Sequence, residues 1–179
     1  MNRKGFSLVE MMLAVLIVGV TVGAIFRLLA PLVTFFHSSL TRQRSNSEAR
    51  TCMNMISMAM RGGIATSVVI TTPAPSPPGV AWSRIDFTLP TALPNGTTAY
   101  TFELVNGTVQ MQAYPSPRPL QPRVLASNVT KLLFAPVDVR DPSVFDVSLR
   151  IDAPFDNSGR PERVSTIQID QQIHMLVNY

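Results

Sequence analysis

The sequence predicts an α+β fold, a long N-terminal helix followed by an antiparallel β-sheet, on three observations. The first is an apolar run at the N-terminus that passes into an amphipathic helical pattern. The second is a change of vocabulary near Ala65 to Val, Ile, Thr, Phe and Pro in short alternating runs. The third is order: every strand candidate comes after the one helix, which leaves no helices to cross over between parallel strands. With 179 residues there is room for one domain of ordinary size and an appendage.

The helix comes first. From Phe6 to Phe26 the run FSLVEMMLAVLIVGVTVGAIF carries one charge, Glu10, and Arg27 stands directly after it. At ~1.5 Å per helical residue this stretch spans about 30 Å, the hydrocarbon thickness of a bilayer. A secretory signal peptide would have a shorter apolar core and a small-x-small site after it; this run has neither. Arg3 and Lys4 directly before it keep the N-terminus cytoplasmic and send the chain beyond Arg27 outward, although Arg27, Arg42, Arg44 and Arg50 pull the other way. Beyond the membrane, Val33, Phe36, Leu40, Met53, Ile56 and Met60 recur mostly at three- or four-residue steps. The helix is predicted to end at Arg61, with Gly62-Gly63 as a left-handed C-cap and a kink at Pro31. The stretch CMNMISMAM reads as core filler beneath the sheet, and its Cys52 as a packed thiol.

Strands are predicted over Thr66–Thr72, Trp82–Leu89, Thr98–Val105, Thr108–Tyr114, Val129–Val139, Val144–Ile151 and Val164–Val177. The clearest unit is TAYTFELV-NG-TVQMQAY, where Asn106-Gly107 supplies a two-residue turn of the primed type. Proline clusters at Pro73–Pro78 and Pro115–Pro122 mark connecting loops and blunt exposed edges.

Composition narrows the function. The net charge of +4 falls to +2 without Arg3 and Lys4, and no basic run is interleaved with aromatics, so no nucleic acid is expected as a partner. A single cysteine permits no internal disulfide and no cysteine-based metal site. No G-x-S-x-G, HExxH, P-loop or GxGxxG motif occurs, and His37 and His174 read as stem and strand positions, so neither an enzyme nor a cofactor is expected. Asp138, Asp141 and Asp146, with Asp156 in DNSG, could gather oxygen ligands for calcium, but they lack loop spacing and read as turns, so no metal is expected. The Asn-x-Ser/Thr triplets at Asn95, Asn106 and Asn128 would be glycosylation acceptors in a eukaryotic secreted protein, and read mostly as turns in a bacterial one.

Glu10 is the residue that calls for a function. A carboxylate at membrane depth costs about 2.5–3.5 kcal/mol on translocon scales, less near the interface, and such residues mark functional sites by default.

The segment KGFSLVE, with the apolar stretch after it, resembles the signal of the type IV pilin and type II secretion pseudopilin family: a short basic leader ending in Gly5, then Phe6, Ser7, Leu8, Val9 and Glu10. The resemblance implies a pilin-like fold, with a leader over 1–5, a long helix over 6–61 whose first part, 6–26, crosses the membrane, and a periplasmic β-rich domain over 62–179. It implies cleavage by a prepilin peptidase between Gly5 and Phe6 and N-methylation of Phe6. Glu10 would be the assembly contact, pairing with the α-amine of a neighbouring subunit and setting its register. A buried pair of this kind adds little net stability, but leaving it unpaired is costly, so it discriminates between registers.

A narrower resemblance, carried by TAYTFELVNGTVQ, VLASNVTKLLFA and FDVSLRID, points to the minor pseudopilin called J, with W-type minor pilins second. It implies a structural subunit at or near the tip of a periplasmic pseudopilus that supports export of folded proteins; the extreme tip subunit typically lacks the Glu retained here. The implied partners are other minor and major pseudopilins and the inner-membrane assembly platform. The alternatives are a minor pilin priming a type IV pilus for adhesion, twitching or DNA uptake, and a membrane-tethered enzyme or receptor. The implied location is the bacterial inner membrane, single-pass, with the C-terminal domain in the periplasm.

Overall fold

The computed structural model describes residues 7–71, 81–115, 120–138, 141–154 and 164–177. It has one long N-terminal helix and antiparallel β-sheets, the α+β pilin-like layout that the sequence predicts. Helix α1 is Leu8–Arg61, continuous through Pro31. Contacts divide the chain into two compact units, the first ending at Leu40 and the second beginning at Thr41, so the boundary falls inside α1.

In the first unit the apolar side chains of α1 are exposed: Val33, Phe36 and Leu40 are all more than half accessible. In the second unit Ala49, Cys52, Met53, Ile56 and Met60 form a buried stripe at helical spacing, while Met58, off that stripe, is exposed. The methionine-rich stretch therefore fills the core with only one face. Burial pushes the Cys52 thiol up to about 12, which leaves it neutral and unreactive.

The helix stops differently from the C-cap expected at Gly62-Gly63. Neither glycine is left-handed; instead the Gly63 N–H donates to the Met60 carbonyl at 2.9 Å, closing the last turn. Gly63 is set by close approach: a Cβ there would run into the Phe87 ring and lie 2.8 Å from Met175 Cε. A short 3-10 turn, Ala65–Ser67, leads into the strands.

The strands are β1 Val69–Thr71, β2 Ala81–Trp82, β3 Arg84–Thr88, β4 Thr97–Val105, β5 Thr108–Pro115, β6 Arg123–Ala126, β7 Val129–Asp138, β8 Asp141–Pro154 and β9 Val164–His174. They form two sheets rather than one, ordered β1-β3-β4-β5-β6 and β2-β7-β8-β9. All pairs are antiparallel except the two-residue parallel pair of β2 with β7. The chain changes sheet three times, from β1 to β2, from β2 to β3 and from β6 to β7. Between β2 and β3, buried Ser83 donates its N–H to the Leu132 carbonyl at 2.8 Å and accepts from the Phe134 N–H on its hydroxyl at 2.8 Å. One expected strand, Trp82–Leu89, is thereby divided between two sheets. Between β6 and β7 the left-handed Asn128, φ 57°, turns the chain back.

The β4–β5 hairpin has the expected turn, with φ of 49° at Asn106 and 73° at Gly107. Under the first sheet Phe87, Tyr100 and Phe102 pack with ring centroids 6.1 to 6.2 Å apart. They join Ile85, Leu104 and Val109 from this sheet and Leu132, Phe134, Phe145, Val147, Leu149, Ile151 and Ile173 from the second in one core. Each such side chain contributes about 1.5–3 kcal/mol by burial. The outer faces are polar. On the first sheet Arg84 grips Asp86 through Nε at 2.9 Å, Asp86 also accepts from the Thr101 hydroxyl, and Tyr114 donates to Gln112 at 2.9 Å.

Candidate functional site

The first described residue, Ser7, caps α1. Its carbonyl accepts from the Glu10 N–H at 3.0 Å and the Met11 N–H at 3.2 Å, so Leu8 is the first helical residue and Glu10 the third. The expected cleavage pair, Gly5 and Phe6, lies outside the described residues. A cut between them would leave Phe6 as the residue just before the cap and four positions from Glu10.

The spacing Ser7-x-x-Glu10 also matches a capping box, a local signal that sequence reasoning missed beside the processing motif. Glu10 in the first turn faces the positive end of the helix dipole. That interaction is typically worth about 0.3–1 kcal/mol, less than the ~2.5–3.5 kcal/mol of placing a charge at membrane depth. The helix end alone therefore does not account for this carboxylate in a bilayer, and a cation at the same depth would.

In the same first turns Leu8, Met11, Met12, Val15 and Leu16 form a continuous apolar surface. The most apolar 18-residue window of α1 has a mean hydropathy of 2.4 with none of it buried, so the helix is long and apolar enough to cross a membrane. Within this span the Thr21 hydroxyl donates to the Ile17 carbonyl at 2.7 Å, which satisfies its polar group inside the helix. Gly19 and Gly23 have nothing within 4 Å of where a side chain would start.

The carboxylates considered for calcium are engaged in other ways. Asp141 accepts from the Ser143 hydroxyl and from the Ser143 N–H at 3.0 Å. These two bonds outweigh the opposing effect of burial, with a smaller contribution from His174, and hold the Asp141 carboxyl below its usual range. Asp146 accepts from Gln172 Nε2 at 3.3 Å. Asp156 lies outside the described residues. Among the described residues no three His, Cys, Asp or Glu side chains come together in a way that could hold a metal ion.

Ser143, Asp141 and exposed His174 do meet at one end of β8 and β9. However, the serine hydroxyl donates to the carboxylate, whereas a nucleophilic serine gives its proton to an imidazole. His37 sits on α1 in the first unit. The three asparagine triplets all fall in turns: Asn95 accepts from the Thr97 N–H at 3.1 Å, and Asn106 and Asn128 are left-handed.

Comparison with known proteins returns one finding. The prokaryotic N-terminal methylation motif matches residues 1–26, so the chain carries a prepilin signal of the type IV pilin and pseudopilin kind. This motif implies processing by prepilin peptidase and assembly with other pilins; with the apolar helix it marks a membrane-anchored protein. No curated protein and no solved structure matches the chain.

Proposed function

We propose that this protein is a minor pseudopilin of a type II secretion system, a structural subunit added at or near the tip of a periplasmic pseudopilus. The observation that carries the reading is Glu10 in the first turn of an exposed, apolar helix that begins directly after a prepilin processing signal. Prepilin peptidase cuts between Gly5 and Phe6 and the new amine of Phe6 is methylated. The helix rests in the inner membrane until Glu10 meets the amine of a neighbouring subunit and fixes its axial register. The C-terminal unit stands in the periplasm, without catalysis or cofactor of its own, and the work of extension comes from a separate cytoplasmic ATPase.

The J-type reading is supported by three stretches, which form the β4–β5 hairpin, the β6–β7 passage and the middle of β8. The same stretches support the second reading, a W-type minor pilin that primes a type IV pilus, because the site at Glu10 serves either filament. A pulldown separates the two. The tagged full chain, extracted in mild detergent from its host, is expected to retain other minor pseudopilins of the secretion system, and its deletion to stop export of folded proteins while twitching and piliation persist. Retention of pilus subunits with loss of piliation would move the protein to the second reading. Retention of neither set would overturn both.

A further inference from the structure

The four outer edges of the two sheets are not alike. The first sheet ends in the three-residue β1 and the four-residue β6. The second sheet ends on one side in the two-residue β2, beyond which Pro136 interrupts the row of donors on β7. Short strands and proline are ordinary ways of blunting an edge. The remaining edge is β9, which runs for 11 residues without proline or lysine. Its ladder with β8, from Pro154 opposite Val164 to Val144 opposite His174, shows no register shift.

The phase of that ladder tells which backbone groups are left over. The Met175 N–H donates to the Ser143 carbonyl at 2.8 Å, continuing the β8–β9 register, so the odd-numbered residues of β9 turn their backbone groups toward β8. Thr166, Gln168, Asp170, Gln172 and His174 turn theirs outward, where no described strand pairs with them. Leu176 has the same phase and shows what this side accepts. It donates to the Gly63 carbonyl at 3.2 Å and accepts from the Ala65 N–H at 2.9 Å, so the chain just after α1 closes this edge at its far end. Beneath β9, Ile167 and Ile169 are only partly buried, and a strand laid alongside would cover them.

We infer that β9 pairs antiparallel with β9 of a second copy of this chain, with Ile169 on the two-fold axis. The register comes from the closed end: an incoming strand must stop opposite His174, and full overlap of two 11-residue strands then sets Ile169 opposite itself. In this register Gln168 faces Asp170, Thr166 faces Gln172 and Ile167 faces Gln171. The Gln168 amide opposes the Asp170 carboxylate, the Thr166 hydroxyl opposes an amide, and no two like charges stand directly across from each other. A second copy is also the occupant favoured by the membrane segment. Gly19 and Gly23, four apart and open, have the small-x-x-x-small form that lets two identical helices approach closely, and confinement to one membrane raises the effective concentration. The inference holds for either filament.

The test uses the full chain in detergent micelles and in its own membranes. Ile169→Cys is expected to give a disulfide-linked dimer of the chain under mild oxidation, because directly opposed positions of this kind lie ~4.5 Å apart. Thr166→Cys and Ile167→Cys, which oppose other residues, are expected to give little, and native Cys52 is buried and stays silent. Adding Gln168→Pro removes one outward N–H and leaves the bonds to β8, so it should abolish the Ile169→Cys link with the circular dichroism unchanged. Should Ile169→Cys fail to fold, differently tagged Gln168→Cys and Asp170→Cys chains expressed together replace it, and unlike chains are expected to link at least ~5-fold more than like ones. Linking no better at Ile169 than at Thr166, no linking in either design, or capture of a different polypeptide at Ile169 overturns the pairing.

Discussion

Phe36 and Ile56 belong to one helix, yet Phe36 is 57% exposed and Ile56 0%. The two residues share one helical spacing and one backbone geometry, and differ in what they cover. From Thr41 on, the stripe of α1 closes a core that the chain itself supplies. Before Thr41 a surface that is apolar almost all round lies open, with a charge at its start and a span long enough for a bilayer. A helix of this kind is stable in water only where something else covers it, so the first unit is built for lipid and for other subunits, the second for itself.

The largest test of that difference is Glu10→Ala. Cleavage, read by the mass of the mature chain, is expected to be unchanged. The assembled fraction should fall at least ~10-fold, since losing even about 1.4 kcal/mol of register preference is tenfold in an equilibrium. Normal assembly would remove the register role. Next come paired truncations in the full chain in detergent, followed by denaturant unfolding of the second unit. Ile56→Ala is expected to cost about 2–5 kcal/mol, as for other emptied core sites, and Phe36→Ala less than about 0.5 kcal/mol. Equal costs would erase the distinction between the halves. Gly63→Ala should destabilise by about 1–3 kcal/mol, because the added methyl meets Phe87 and Met175 at the point where the helix turns into the sheets. Cys52 reports the same core without perturbing it: a thiol reagent is expected to label it only when the second unit unfolds, and rapid native labelling would contradict its burial.

The smallest effect concerns the outer face of the second sheet. Burial alone would raise Asp152. It is outweighed by bonds from the Thr130 and Thr166 hydroxyls, each at 2.8 Å, and from Arg150 Nε at 3.0 Å, with the charge of Arg150 in support. The folded carboxyl thus titrates below its usual 3.8, so its contribution is complete above pH 3.8 and is lost as pH falls through the lower folded value. Thr166→Val should lower stability slightly near neutrality in denaturant unfolding followed by circular dichroism, and the difference should close as pH falls below 3.8. A difference that instead grows toward low pH would reverse the assigned sign.

Some of this was legible in the sequence because the responsible forces act between near neighbours. The processing signal, the membrane span, the end of α1 at Arg61 and the Asn106-Gly107 turn each rest on a few consecutive residues. A change of hydrophobic period from helical to alternating was enough to announce the α+β class. Other features required partners distant in the chain. Ser83 divides one alternating run between two sheets through bonds to Leu132 and Phe134; β6 is too short and too near a proline cluster to be visible locally; and Gly63 is fixed by the Phe87 ring and the Met175 side chain, both more than twenty residues away. The apolar series of Val33, Phe36, Leu40, Met53, Ile56 and Met60 likewise keeps mostly helical steps on both sides of Thr41. Periodicity records that a face must be covered, and only the folded chain decides which stretch it covers itself and which, like the start of α1 and the edge of β9, it leaves for another molecule.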